Sequence, residues 1–476
     1  MKILHYYWTQ INDKFHRGGG VQTYLRNIIS NQQKNNEVYL LNSGVEYDFF
    51  NNEIYIKKIG DHLGCKQYSI VNSPILAPSK ANFFNIQEYL QNDNLKKVFK
   101  SFIDEFGPFD IIHFHSLEGI SLSVLELKEN YPNIKFIYTF HNYYPLCPQV
   151  NFWKKDSENC QTFNSGRDCL NCIGKIPTIS QTKIYYSALN FLERFGFSGS
   201  AVTLSKRART AIRVLKSRSD VYHNKVRFNK IKPEINEAIQ YVMFREKNIE
   251  YLNKYFSRII CVSERVKDIC LRFGLKKDLL ITLYIGTAFS ENQFNSPHID
   301  ISKNPFEIAY MGYMRRDKGF YFFLKCLKLL DDEISKQLSI VVAAKNEDNA
   351  ATNELLSLRG KFKNIKYFNG YTSHDISTIL KDTNLGIVPV MWEDNLPQVA
   401  MEFKALGVPV LTSDLGGASE LSSSVEFCFE HGNEYSFISK LSEIVRDREL
   451  LNKYYIKAPE LQTVDRHCQI LSLIYK

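Results

Sequence analysis

The stretch Pro389–Leu421 reads PVMWEDNLPQVAMEFKALGVPVLTSDLGGASEL. The apolar run before it, NLGIVPV, has the character of a buried strand, and GVPVLT within it has the character of the next one. Between them Pro397 stands where a first helical turn begins and Gly407 where a helix stops. Strand, loop, helix and strand in that order make a parallel α/β unit. Two acids break the pattern. Asp394 lies in the loop, and Glu402 lies in a helix whose other faces read Val399, Ala400, Met401, Phe403, Ala405 and Leu406. A carboxylate among that much apolar surface is expected to be paired or liganded.

Outward from this stretch the same alternation recurs. KILHYYW, EVYLLNS, DIIHFH, KFIYTFH and RIICVSE read as short buried strands, and FEIAYMG, LSIVVAA, IKYFNG, LGIVPV and VPVLTS repeat the theme after about residue 300. The expected fold class is α/β, with two Rossmann-like doubly wound domains facing across a cleft. The expected boundaries are 1–288 for the first domain, 289–305 for a polar linker, 306–455 for the second domain, and 456–476 for a C-terminal helix packing back on the first. Residues 173–250 lack strand signals and read as a largely helical insertion. Open parallel sheets bind ligands at the carboxyl ends of their strands, so the cleft is the expected site.

At 476 residues, 44% apolar and 23% charged, the chain has the composition of a soluble globular protein. No apolar run approaches the ~18–20 residues that span a bilayer, and the opening MKILHYYWTQ reads as a first strand, not a signal peptide. A cytoplasmic location is therefore expected. The net charge of +9 is concentrated between Lys206 and Lys232, where ten Lys or Arg face the single acid Asp220. Three readings stay open for it: a solvated helix surface, a contact with anionic lipid at the inner face of a membrane, and a nucleic-acid patch.

Three features of the second block suit one ligand. YMGYMRRDKGF follows a strand with a glycine and then Arg315, Arg316, Lys318 and Gly319, cations that suit a diphosphate. Asn395 to Gln398, with Leu396 and Pro397 between them, open a helix whose N–H groups can face an anion or sugar hydroxyls. Glu402 shares a face with Gln398 and Ala405, where it can accept from vicinal hydroxyls. Taken singly, Asp394 or Asn395 can be a helix cap and Glu402 a paired structural acid.

These residues resemble a family. EDNLPQVAMEFKALGVPVLTSDLGG looks like the sugar-nucleotide signature of the retaining glycosyltransferases of the GT-B fold, family 4 (glycosyl transferases group 1). GGGVQTYLRNI, DIIHFH, FIYTFHNYYPLCP, RIICVSERV and MGYMRRDKG resemble further segments of that family in order. The resemblance implies a hexosyltransferase-like enzyme that moves a sugar from a nucleoside-diphosphate sugar to a glycan or lipid-linked acceptor with retention, in cell-surface polysaccharide synthesis. It implies that Glu402 holds the ribose, Asp394 touches the donor sugar, and Lys318 binds the diphosphate. Gly19 and Gly20 would let backbone approach the phosphates, and His141 would stand near the transferred sugar; His113 and His115 are weaker candidates. Two positions depart from the pattern: Asp394 replaces the usual Glu, with Glu393 one residue earlier, and Tyr313 replaces an Arg. No cofactor is expected for catalysis, and no nucleic-acid partner under this reading. The rivals are a nucleotide-sugar epimerase of the same fold, a silent sugar-nucleotide-binding subunit, and a nucleic-acid-binding protein using 206–232.

Four cysteines fall just after His141. Cys147, Cys160, Cys169 and Cys172 span 26 residues, and the last two form a C-x-x-C pair. Four thiolates suit a structural zinc; free thiols or a disulfide are the alternatives. The other six cysteines are scattered and read as packing residues.

Overall fold

The computed structural model describes residues 1–14, 17–78, 86–173, 179–194, 235–287, 296–422, 424–456 and 458–476. The basic stretch 206–232 and part of the linker at 289–305 lie outside the described residues.

The first sheet is built from β1 (Lys2–Tyr6), β2 (Glu37–Glu46), β3 (Tyr55–His62), β4 (Cys65–Val71), β5 (Ile111–Phe114), β6 (Lys135–Phe140), β9 (Arg258–Cys261) and β10 (Leu280–Thr282). A two-residue ribbon, β7 (Trp153–Lys154) with β8 (Glu158–Asn159), stands apart between β6 and the insertion. The sheet order is β10-β9-β6-β5-β1-β2-β4-β3, parallel except for the antiparallel β3–β4 pair. The second sheet contains β11 (Phe306–Tyr313), β12 (Leu338–Lys345), β13 (Asn364–Phe368), β14 (Leu385–Val388), β15 (Val410–Ser413) and β16 (Cys428–Phe429), in the all-parallel order β13-β12-β11-β14-β15-β16. Helices cover both faces, and that is why β1, β5, β6, β12 and β14 are near-continuous apolar runs rather than alternating ones. The fold is the two-domain Rossmann-like α/β architecture that the strand pattern predicts.

Sequence reading missed three pieces. The β3–β4 hairpin turns at Leu63 and Gly64, both with positive φ (53° and 71°), without the usual Asn-Gly signal. Its outer strand β3 is nowhere fully buried, so no apolar stripe marks it. Strands β10 and β16 are three and two residues long, below the length at which periodicity can be seen. The insertion is helical where it is described, over Ile179–Arg194 and Ile235–Tyr255.

The two domains meet through polar and apolar contacts that join the carboxyl ends of both sheets. Ser263 Oγ donates to the Asn395 carbonyl at 2.8 Å, and Gln398 Nε2 donates to the Gly20 carbonyl at 3.1 Å. Glu420 accepts from the backbone N–H groups of Glu264 (2.9 Å) and Arg265 (2.7 Å), at the start of a helix whose dipole favours a carboxylate there. The C-terminal helix Val464–Tyr475 is capped by Thr463 and lies on the first domain against helix Gly19–Gln32. It is fastened there by Tyr24 to His467 Nε2 (2.8 Å) and by Tyr475 to His113 Nδ1 (2.7 Å).

Candidate functional site

In the second sheet the strand order reverses between β11 and β14, and the loops leaving these two strands form one wall of the interdomain cleft. The loop after β11 is shaped by glycine. Gly319 has φ +74°, and a Cβ there would lie 1.6 Å from the Pro389 carbonyl oxygen. The loop after β11 is thereby seated directly on the loop after β14. Gly416 has φ +71° and would meet the Asp394 backbone oxygen at 2.1 Å, so the DLGG turn presses on the acid loop from the other side. The glycines thus shape the backbone that holds Asp394.

The cleft holds about 390 Å³ and is lined by Lys318, Asp394, Asn395, Leu396, Pro397 and Glu402 from the second domain. Gly20, Tyr24 and His141 face them from the first. Lys318 Nζ lies 2.6 Å from Asp394 Oδ2 and 5.0 Å from the centre of the Trp392 ring. The neighbouring acid has another partner. Glu393 forms a two-point ion pair with Arg265 across the domains and accepts from the Gly416 N–H at 3.2 Å. It does not line the cleft. Of the two acids, Asp394 is the one presented to a ligand.

Glu402 sits in helix Gln398–Ala405, and its Oε2 is buried with no hydrogen-bond partner. Burial raises its carboxyl to about 7. Asn395 Oδ1 and Trp392 Nε1 are likewise buried and without partners. Buried polar groups are almost always hydrogen-bonded. Three orphans on one cleft, two acceptors and a donor, mark where a polar ligand belongs. Because the folded carboxyl of Glu402 titrates above its ordinary 4.5, the native state binds the extra proton between those values. Its contribution to stability is complete below about pH 4.5 and disappears as pH rises through about 7. The ligand-free protein is therefore expected to lose unfolding free energy between pH 4.5 and 7, and Glu402→Gln to flatten that slope. Urea unfolding at pH 5 and 7.5 reads it; equal slopes in both proteins would rule it out. Lys404, on the same helix, is lowered by burial from 10.5 to about 7 and acts above that window.

Not every sequence candidate lines the cleft. Arg315 pairs with Asp317 at 2.5 Å and Arg316 lies over the Tyr321 ring, neither among the lining residues. Tyr313 does line it, in the place where the family pattern has Arg. Gly19 has φ +55° and begins helix Gly19–Gln32 but does not line the cleft, whereas Gly20 does. His113 is buried in β5 behind the cleft, and His115 is buried behind His141. Trp392, Tyr371 and Tyr24 line the site and were missed by sequence reading; each is an aromatic in an otherwise apolar or loop segment, with no spacing to flag it.

Cys147, Cys160, Cys169 and Cys172 gather around a separate cavity of about 20 Å³. They are not in ligating geometry. Among the described residues, the only trio with ligand atoms within 4.8 Å of one another is His5, His113 and His115. Arg245 donates to Cys169 Sγ at 3.1 Å, and Cys172 Sγ donates to Gln149 Oε1 at 2.8 Å. Burial raises Cys160 to about 12. Burial also raises Cys147 and Cys172, which favours the neutral thiol at these three cysteines.

Among the described residues, no helix is long and apolar enough to cross a membrane. Residues 18–167 match the family model described as Glycosyltransferase Family 4, and residues 291–461 match Glycosyl transferases group 1. An uncharacterized glycosyltransferase of Methanocaldococcus jannaschii is 25% identical over 188 residues, 36% of this chain and 46% of the relative. A capsular polysaccharide biosynthesis glycosyltransferase, CapM, of Staphylococcus aureus is 23% identical over 205 residues, 40% of this chain and 53% of the relative. The chain spans about half the length of the curated relatives it matches. Among solved structures, Anabaena HepE in complex with UDP superposes with a TM-score of 0.59 at 14% identity, covering 100% of this chain and 99% of that one. Sucrose-phosphate synthase of Thermosynechococcus elongatus gives 0.55 at 13% identity, covering 100% and 98%. Each half of the chain is thus similar to one glycosyltransferase model, and the fold beneath both is the two-domain GT-B fold of these solved structures.

Proposed function

We propose that the protein transfers a sugar from a nucleoside-diphosphate sugar to a glycan or lipid-linked acceptor, with retention, in the synthesis of a cell-surface polysaccharide. The observation that carries this reading is the pairing, on one cleft wall, of the Lys318–Asp394 ion pair with the orphaned carboxylate oxygen of Glu402. A sugar nucleotide needs both. Glu402 accepts from the vicinal hydroxyls of the ribose. Lys318 swings between Asp394 and the diphosphate oxygens, and Asp394 accepts from hydroxyls of the donor sugar.

Catalysis then rests on stabilising the departing diphosphate. Its negative charge grows as the bond to the sugar breaks, and a cation held beside the leaving oxygens acts most strongly there. The acceptor hydroxyl attacks from the face the diphosphate leaves and gives its proton to the departing phosphate oxygen, so the anomeric configuration is kept. The relatives support the class of reaction: one is named for capsular polysaccharide biosynthesis, and a structural neighbour was solved with UDP. A cytoplasmic enzyme whose basic stretch 206–232 rests on an anionic membrane would meet a lipid-linked acceptor, and that placement belongs to the same proposal.

The test is a thermal-shift panel of UDP-, GDP- and ADP-sugars, beginning with UDP-glucose, on the wild type and Glu402→Ala. A ligand that binds only the folded state adds about 2.7 kcal/mol of stability at a hundredfold excess over Kd. The expected result is stabilisation of the wild type by one donor class and none of the variant. Equal shifts in both proteins would remove Glu402 from the site; no shift with any donor would remove the transferase reading.

A further inference from the structure

The first domain carries a buried hydrogen-bonded chain that ends at the cleft. His141 follows β6 and lines the cleft. Its Nε2 is 3.1 Å from His115 Nδ1, His115 Nε2 is 2.9 Å from His5 Nδ1, and His5 Nε2 is 2.8 Å from Gln32 Oε1. Beyond it, Gln32 Nε2 reaches the Tyr475 hydroxyl at 3.4 Å, Tyr475 meets His113 Nδ1 at 2.7 Å, and His113 Nε2 meets Thr139 Oγ1 at 2.7 Å. Gln32, His5, His113, His115 and Tyr475 are all at most 3% exposed.

Proton counting gives the chain a direction. Burial holds His5 near 4 and His141 near 3, and drives His113 and His115 well below their ordinary value, so each imidazole is neutral with one N–H and one lone pair. Gln32 Oε1 can only accept, so His5 carries its proton on Nε2 and offers Nδ1 as a lone pair. His115 must then donate from Nε2, and its Nδ1 accepts. His141 must donate from Nε2 in turn. On the far side Gln32 Nε2 donates to Tyr475, Tyr475 donates its single proton to His113 Nδ1, and His113 Nε2–H donates to Thr139. Each imidazole N–H and the Tyr475 hydroxyl proton is used once.

We propose that Gln32, His5 and His115 are positioning residues that lock His141 in its Nε2–H tautomer, leaving Nδ1 as a hydrogen-bond acceptor for a ligand in the cleft. Given the transferase reading, that acceptor takes a hydroxyl of the donor sugar or of the incoming acceptor. A free histidine would sample both tautomers, and the Nδ1–H form would present a donor instead. The chain removes the wrong one.

The trio His5, His113 and His115 also has the proximity of an ion site. Its six ring nitrogens are already taken by the hydrogen bonds above, so the relay accounts for all of them without an ion.

The tautomers are read by long-range 1H–15N correlation on the full chain labelled with 15N-histidine, with His141→Gln and His115→Gln to assign the signals. Nε2–H is expected at His5, His115 and His141 in the wild type. Gln32→Leu should leave His141 as a mixture, and Gln32→Glu should restore one tautomer, because a carboxyl in either protonation state still presents an oxygen to His5. With UDP-glucose as the probe, UDP release should fall in Gln32→Leu at unchanged KM by the share of His141 left as Nδ1–H, about twofold for an even mixture, and recover in Gln32→Glu. Nδ1–H at His141 in the wild type, an unchanged tautomer in Gln32→Leu, or one tightly bound metal ion per chain would overturn the relay. If the wild type releases no UDP, UDP-glucose is not its donor, while the tautomers still decide the relay.

Discussion

Lys318→Met is expected to lower turnover about 10²–10³-fold, the usual cost of removing one preorganised charge-stabilising group from a site of this kind. The loss should fall on kcat more than on KM. In the resting protein Lys318 already has a partner in Asp394, so part of what it offers the ground-state diphosphate is offset by the bond it gives up. Its full effect appears when the diphosphate gains charge on leaving. The variant keeps length and apolar bulk over the Trp392 ring but leaves the buried Asp394 carboxylate without its cation, so a lower melting temperature is expected beside the loss of turnover. A kcat within threefold of the wild type, measured as UDP release from the donor found by thermal shift, would mean that another group carries the leaving charge. Arg315 and Arg316 stand outside the cleft lining, so a double Arg315→Ala, Arg316→Ala variant separates that case.

Gly319→Ala is expected to destabilise the protein by about 2–6 kcal/mol, combining a non-glycine residue at positive φ with an overpacked contact. The added methyl would meet the Pro389 carbonyl oxygen at 1.6 Å, a distance that backbone cannot yield without moving the whole loop. Moving it shifts the segment that carries Trp392 and Asp394, so donor binding should fail together with stability. Gly360→Ala is the control. A Cβ there meets nothing within 4 Å, and its effect should stay within about 0.5 kcal/mol. Chemical denaturation of the two variants side by side decides the matter: equal midpoints would show that the loop after β11 can relax away from the loop after β14.

Most of the architecture was legible because buried parallel strands leave strong marks. β1, β5, β6, β11, β12 and β14 are apolar runs punctuated by glycine or polar turns, and no other arrangement covers such strands on both faces. What escaped was either too short or too exposed, as with β16 and β3. The site divides in the same way. Asp394 and Glu402 could be named as charges beside apolar runs and Lys318 as one cation of a glycine-turn cluster, and the family resemblance supplied the role expected of each. Trp392, Tyr371 and Tyr24 could not, since an aromatic side chain in an α/β protein is most often core, and only the folded chain brings these three together. Arg315 shows the opposite error. A guanidinium beside a glycine turn reads as a phosphate ligand, yet Asp317, buried two residues on, takes it first. Local competition of that kind depends on side-chain direction, which spacing does not reveal. The four cysteines are similar: sequence foretold that they would meet, and their directions decide what they bind.

The return of the C-terminal helix to the first domain has a mechanical consequence. Among the described residues, the segment leaving the first domain and the segment returning to it meet where Thr287 bridges to Thr463, the cap of helix Val464–Tyr475. A rearrangement that separates these two segments must break that bridge, whereas one that turns about it need not.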